Sequence, residues 1–525
     1  MSERLTEQQE RTLRCVRELV TEHGGGTHTS WVKSDVPKEV SRQNVAMPPR
    51  STAPAHEQKT DNETKGYLHR VECLARFLIG AEYNAGTLWD FQIDLLKLQR
   101  DIQQSIGIEK ERIRRSKDKA TKLKSLQYAR WSSRRLGDAF AWLSLGVDSK
   151  AIRPLGENDP VPIGKEDHGS RGLIGISSYL AGEGWGFPVI HDVTDCLRIG
   201  DVTFVRSEQG KRTLRTVEMK TRYLGKGEGE NSSHYDVSVT FLSSEDDPKI
   251  DFSTEINEES AETNLGEGPA LFSASASRED RRISRQTKRM AKALSRQEAK
   301  DGTVQTVDGQ KTITTIVDSA PTSHWKTLRR VIRNARRDGY ASESVDKAFL
   351  YVAYYDSSEI EVEAIQNPQF LVDLTSSGLA KSKVDSRNSL EIASVPELES
   401  RGPQQYLPYF LYSIPKKAIF DLLHGRLIVI ICTNVGHIAD ALENHGFDVR
   451  IPQGEGPPIR SMQISSRITH GGVDYYFETN ALGRHVTECI YEFKGIDYLL
   501  QIAQKMKEST IPAILSHSRD EQRES

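Results

Sequence analysis

Apolar positions recur along this chain at two different periods. Over residues 3–22, Leu5, Leu13, Val16, Leu19 and Val20 fall on one side of a helix. From residue 24 to about residue 64 no apolar face recurs, and Gly24-Gly25-Gly26 and Pro48-Pro49 indicate a linker. Helical spacing returns over 66–104, through Tyr67, Val71, Leu74, Phe77 and Leu78, then Leu88, Phe91, Ile93, Leu95 and Leu98. Residues 136–143 read as a buried helix whose single acid, Asp138, is expected at the surface.

Strands follow a helix in the next stretch. Residues 172–185 place Leu173, Ile174, Ile176, Tyr179 and Leu180 at helical spacing and stop at Gly182-Glu183-Gly184. Residues 188–193, 200–205 and 213–221 read as three strands, the last two joined by a turn through Gln209-Gly210, and 234–242 alternate as a fourth. Residues 348–355 and 427–432 are apolar enough to be buried strands. The second leads through Thr433-Asn434-Val435-Gly436 into a helix over 437–445, and 375–404 read as a polar connector.

Length and charge refine this outline. A chain of 525 residues exceeds one core, so two or three domains are expected. The net charge of −3 does not advertise a nucleic-acid binder, but it conceals local patches. Between residues 109 and 135 lie Lys110, Arg112, Arg114, Arg115, Arg134 and Arg135, interleaved with Tyr128 and Trp131. Such a stripe suits phosphates and stacked bases, or equally a solvated helix face. Two more basic helices are expected at 278–297, with Arg285 and Arg289, and at 325–337, with Arg329 and Arg330. The acidic run at 244–268 reads as a mobile insertion. Five scattered cysteines without a C-x-x-C pair argue against a disulfide framework or structural zinc. With no membrane-length apolar run and no signal-peptide core, a reducing cytoplasm and no membrane partner are expected.

The candidate chemistry sits in the strands. Asp201 opens one strand, and Glu218-Met219-Lys220 closes the next. Alternation puts Glu218 and Lys220 on one face and Val217 and Met219 on the other. Two carboxylates held together repel unless they share a proton or a cation. Oxygen ligands with room for water suit Mg²⁺ or Mn²⁺ better than zinc.

Gly200-Asp201, an apolar strand, a turn, and a strand ending in Glu218-Met219-Lys220 resemble the PD-(D/E)xK nuclease superfamily, with Gly200 where the proline usually stands. The likeness spans roughly residues 170–225. It implies an α/β fold whose restriction-endonuclease-like core is a helix plus a mixed sheet. It also implies a metal-dependent nuclease in which Asp201, Glu218 and the Met219 carbonyl hold Mg²⁺ or Mn²⁺, and Lys220 orients or deprotonates the attacking water. Relatives often carry a glutamate on the first helix and a glutamine on a later one, for which Glu183 and Gln286 are the candidates. Asp192 is a further secondary candidate, and nearby His191 is more ordinarily a satisfied core residue. The partner implied is nucleic acid, DNA first, in a setting such as prokaryotic antiviral defence. A protein partner or homo-oligomer stays open.

A rival match exists. Asp474 precedes Glu492-Phe493-Lys494 by 18 positions, against 17 for Asp201 and Glu218. The first is preferred because a compact hairpin joins its two strands. Two other functions remain: a non-catalytic nucleic-acid-binding or assembly protein, and a nucleotide-binding α/β protein centred on residues 427–445. The expected division is 1–65 N-terminal helix and linker, 66–150 a basic helical region, 151–345 the nuclease-like core, 346–510 a C-terminal α/β domain and 511–525 a tail.

Overall fold

The computed structural model describes residues 29–32, 62–80, 84–116, 121–147, 149–156, 168–208, 211–226, 232–241, 250–257, 304–307, 310–313, 322–356, 390–395, 406–451, 462–470, 472–479 and 482–524. The expected helices at 3–22 and 278–297 lie outside them. The protein is mixed α/β, and every strand pairing among the described residues is antiparallel. The mixed sheet expected is therefore not what these strands form. In the candidate region the connections between successive strands are too short for a crossover helix, which a parallel neighbour would need.

The N-terminal helices are α1 (Asn62–Gly80), α2 (Ala85–Ser116) and α3 (Thr121–Ser144). The short α4 (Ser149–Ile152) precedes α5 (His168–Gly182), whose stripe of Leu173, Ile176 and Leu180 follows helical spacing. Backbone bonds from Gly184 to Ala181 and from Trp185 to Leu180 close α5, with Gly184 in the left-handed conformation at φ 82°. Strands β2 (Phe187–Ile190), β3 (Val202–Glu208), β4 (Lys211–Lys226), β5 (Ser232–Phe241) and β6 (Ile250–Asn257) then form a five-stranded sheet in that order. The helix α5 packs on β4. β6 falls inside the run expected to be a mobile insertion. Ile250, Phe252, Thr254 and Ile256 alternate there, and β5 supplies the partner.

The second large sheet has the order β1 (Thr29–Val32), β11 (Leu390–Val395), β12 (Leu427–Asn434), β10 (Phe349–Tyr355), β9 (Tyr340–Val345). β1 lies in the expected linker and β11 in the expected connector. Each is too short for a period to show, and long-range pairing makes it a strand. The helix α6 (Trp325–Asp338) packs across β9 and β10. The expected boundary at 345/346 therefore cuts a hairpin, and α6 and β9 belong with the C-terminal sheet.

A small hairpin, β7 (Val304–Val307) and β8 (Gln310–Ile313), lies between the two large sheets in sequence. Beyond β10 come α7 (Lys416–Leu423), α8 (Val435–Glu443) and the sheet β13 (Asp448–Arg450), β14 (Gln463–His470), β15 (Val473–Thr479). Last are α9 (Leu482–Tyr491) and α10 (Ile496–Glu524). The expected tail at 511–525 is helix as far as Glu524.

One contiguous apolar core runs from α1–α3 through β2–β4 to β10, β12 and α9. At about 25 cal/mol per Å² of buried apolar surface, its aromatic members dominate the burial term. Trp131 stacks on Tyr409 with ring centroids 5.8 Å apart, and Tyr128 Oη donates to the Leu423 carbonyl at 2.9 Å. The N-terminal helices thus join the two large sheets.

Candidate metal centre

The turn between β2 and β3 brings Asp201 to β4. After β2 the chain makes a 3₁₀ turn over His191–Val193 and reaches Gly200, whose φ of 78° favours glycine. The Asp201 N–H donates to the Val217 carbonyl at 2.8 Å, and the Met219 N–H donates to Asp201 Oδ2 at 2.7 Å. Asp201 therefore grips β4 on both sides of Glu218. Val217 and Met219 are buried on the opposite face, whereas Glu218 is half-buried. Because the N–H and C=O of a strand residue point to the same side, the Met219 carbonyl also faces the side of Asp201, where β3 has ended.

Two supports hold this turn. His191 is buried, which pushes its imidazole down to about 4, so it is neutral at pH 7. The Gly200 carbonyl can only accept, so Nδ1–H donates to it at 2.9 Å, leaving Nε2 to accept from Thr203 Oγ1 at 2.8 Å. Thr203 Oγ1 in turn lies 2.8 Å from Thr216 Oγ1. The His191 N–H donates to the Asp201 carbonyl at 2.9 Å.

The second support is α3. A Cβ on Gly137 would stand 1.7 Å from the Val193 carbonyl oxygen, so only glycine permits this approach. Asp138 Oδ1 then accepts the N–H groups of Asp195 and Cys196 at 2.6 and 2.7 Å, and Gln99 Nε2 donates to the Val193 carbonyl at 2.9 Å. Asp138 is wholly buried, not the surface carboxylate expected.

The donors fit a hard divalent ion. Asp201, at the start of β3, is bonded to the peptides on either side of Glu218, and the oxygens these residues offer, two carboxylates and the Met219 carbonyl, are of the kind that Mg²⁺ or Mn²⁺ takes along with water or phosphate. Among the described residues no three His, Cys, Asp or Glu side chains form a metal-sized group. Lys220 lies in β4 opposite Ser238 with the parity of Glu218; its side chain is outside the described set. Glu183 is exposed in the turn after α5, and Asp192 is exposed in the 3₁₀ turn, its carbonyl taken by Arg134. Gln286 lies outside the described residues.

The basic candidates divide. Arg134 and Arg135 are buried, paired with Asp195 at 3.0 Å and Asp138 at 2.9 Å. They brace the turn and offer nothing to a phosphate. On helix α3 their positions face the core, which overrides the charge pattern. Arg114 and Arg115 are exposed at the end of α2 and pair with Glu111. On α6, Arg329 Nε donates to the Trp325 carbonyl at 3.3 Å, and exposed Arg330 pairs with Glu343. Arg285 and Arg289 lie outside the described residues.

The rival site does not assemble. Asp474 is on β15, paired with Arg467 and Thr469 of β14. Cys489, Ile490 and Tyr491, which the rival match needs in a strand, lie in helix α9. Glu488 and Glu492, one turn apart, both take Arg153, the latter at 3.0 Å. Lys494 binds them at 3.1 and 2.8 Å, and Tyr498 Oη donates to Glu488. Burial alone would raise the Glu488 carboxyl, but Arg153 and Lys494 hold it well below the usual range. This buried network was not anticipated; the i,i+4 glutamates were its only signal.

At the start of α8, within the 427–445 segment of the nucleotide alternative, Asn434 Oδ1 accepts the His437 N–H at 3.2 Å. Among the described residues no helix is long and apolar enough to cross a membrane. No family model matches the chain, and no curated protein or solved structure is significantly similar to it.

Proposed function

We propose that the chain is a metal-dependent nuclease, of the restriction-endonuclease-like kind, that hydrolyses phosphodiester bonds in DNA at the β3–β4 centre. One observation carries this reading: the Asp201 N–H and Oδ2 bond to β4 on either side of Glu218, so the backbone and the carboxylate of Asp201 are both fixed beside the Glu218 peptide. Asp201, Glu218 and the Met219 carbonyl would hold Mg²⁺ or Mn²⁺. When bound, the ion supplies Lewis-acid polarisation of the scissile phosphate and a more acidic water. Lys220, two residues beyond Glu218 in β4, would orient that water. The exposed cations of α6, Lys326, Arg330, Arg333 and Arg337, offer a sequence-independent surface for phosphates. His191 and Asp138 take no part in chemistry; they hold the turn that sets Asp201.

A non-catalytic nucleic-acid binder is the second reading, favoured by the fact that no three His, Cys, Asp or Glu side chains form a metal-sized group among the described residues. Linear and circular DNA and single-stranded RNA, each with Mg²⁺, Mn²⁺ or EDTA, separate the two. Cleavage is expected with metal and DNA, falling at least about a hundredfold in Asp201→Asn and Glu218→Gln with DNA affinity kept. Cleavage that survives both changes would remove the centre from β3–β4. DNA binding without cleavage by the unaltered protein would establish the second reading.

A further inference from the structure

We infer that the cleft between α1 and α7 is a second ligand site that takes a nucleotide, its ring laid on the Arg76 guanidinium and its phosphate held by Lys416, Lys417 and Arg426. The cleft measures about 550 Å³, within the range of small-molecule sites. Four cations and one acid, Glu72, line it, a local excess of three positive charges in a chain whose total is −3. Such a concentration marks a preference for anions.

The two arginines are held from behind. Arg76 lies over the Phe420 ring, its Cζ 4.3 Å from the centroid, and Nε donates to Glu72 Oε1 at 2.8 Å. Its side chain is still 61% exposed. A guanidinium held over one ring and exposed on its outer side can take a second ring there, as bases stack on arginine. Arg426 donates through Nε and Nη2 to Asp421 Oδ1 at 3.1 and 3.0 Å, and that buried carboxylate also takes Arg336 at 3.2 Å. Glu72 is already engaged by Arg76 and, at 2.6 Å, by His424.

Lys416 and Lys417 differ from the arginines. They are exposed and have no carboxylate partner among the described residues. They occupy the first turn of α7, behind Pro415 and without a side-chain cap. Cations at a helix N-terminus oppose its dipole, a cost that a bound phosphate removes. Beside Arg76, the half-buried Ile79 offers apolar surface to a ring but does nothing for inorganic phosphate. Ring and anion together describe a nucleotide, free or as part of a strand.

The full chain titrated with ATP, a short single-stranded DNA oligonucleotide and pyrophosphate tests this. ATP or the oligonucleotide is expected to bind more tightly than pyrophosphate, and whichever is tighter identifies the source. Lys416→Glu and Lys417→Glu should each weaken that ligand by about tenfold. Both residues are exposed, so an unchanged melting temperature confirms that the fold survives. Arg76→Lys keeps the charge but not the plane; it should bring the nucleotide down to the affinity of pyrophosphate while leaving pyrophosphate unaffected. Pyrophosphate binding as tightly as either nucleotide overturns the proposal. So does the absence of nucleotide binding, or binding indifferent to the lysine changes. The inference does not rest on the metal centre, and Asp201→Asn protein should bind equally.

Discussion

Glu218-Met219-Lys220 and Glu492-Phe493-Lys494 carry the same charges at the same spacing, each downstream of an aspartate. In β4 the segment is extended, Glu218 is half-buried, and Asp201 is bonded to the peptides flanking it. At the end of α9, Glu492 shares Arg153 and Lys494 with Glu488, one turn earlier, and Asp474 is elsewhere on β15. The second cluster has as many cations as carboxylates, and its charges are spent on each other. The first has two carboxylates beside a carbonyl. The difference teaches that a charge motif says little until its backbone is known: a strand displays alternate residues together, whereas in the turn leaving α9 Glu492 and Lys494 pair with each other and with Arg153 and Glu488.

The largest expected effect sharpens that contrast. Arg153→Ala leaves Glu488 and Glu492 buried with only Lys494 of their two shared cations and should cost about 3–5 kcal/mol of stability, read from the urea midpoint. A midpoint within error of the unaltered protein would mean that the network contributes nothing to folding. The next concerns acid. The Glu488 carboxyl is held below its unfolded value, so the unfolded chain takes up the proton first. Its contribution is complete above about pH 4.5 and is lost as the pH falls below that. Glu488→Gln should be less stable at pH 7 but show a shallower decline in melting temperature towards pH 3; an equally steep decline would place the acid sensitivity elsewhere. The smallest effect belongs to the other segment. Glu218→Gln should shift stability by no more than about 1 kcal/mol, since Glu218 is half-buried whereas Glu488 is fully buried. A loss approaching that of Arg153→Ala would make the β3–β4 pair a structural feature and erase the comparison.

Periodicity by itself determined the long helices, the order of α5, β2, β3, β4 and β5, the buried strands β10 and β12, and the turn residues between them. Each is encoded by neighbours that must share one face, and those neighbours are close in sequence. What it could not carry is pairing between distant segments. β1 and β11 become strands only against a partner, and β6 is hidden in an acidic run by its charges although its apolar residues alternate. Arg134 and Arg135 looked like phosphate ligands because eleven basic residues crowd residues 110–135. Only the packing of α3 on the 191–198 turn put those two inside, opposite carboxylates from 61 and 3 positions away. The aspartate and the glutamate of the candidate centre were legible as letters. The seating of Asp201 against β4 was decided by His191, Gly137 and Asp138, which fix a turn whose own sequence does not specify where it must stand.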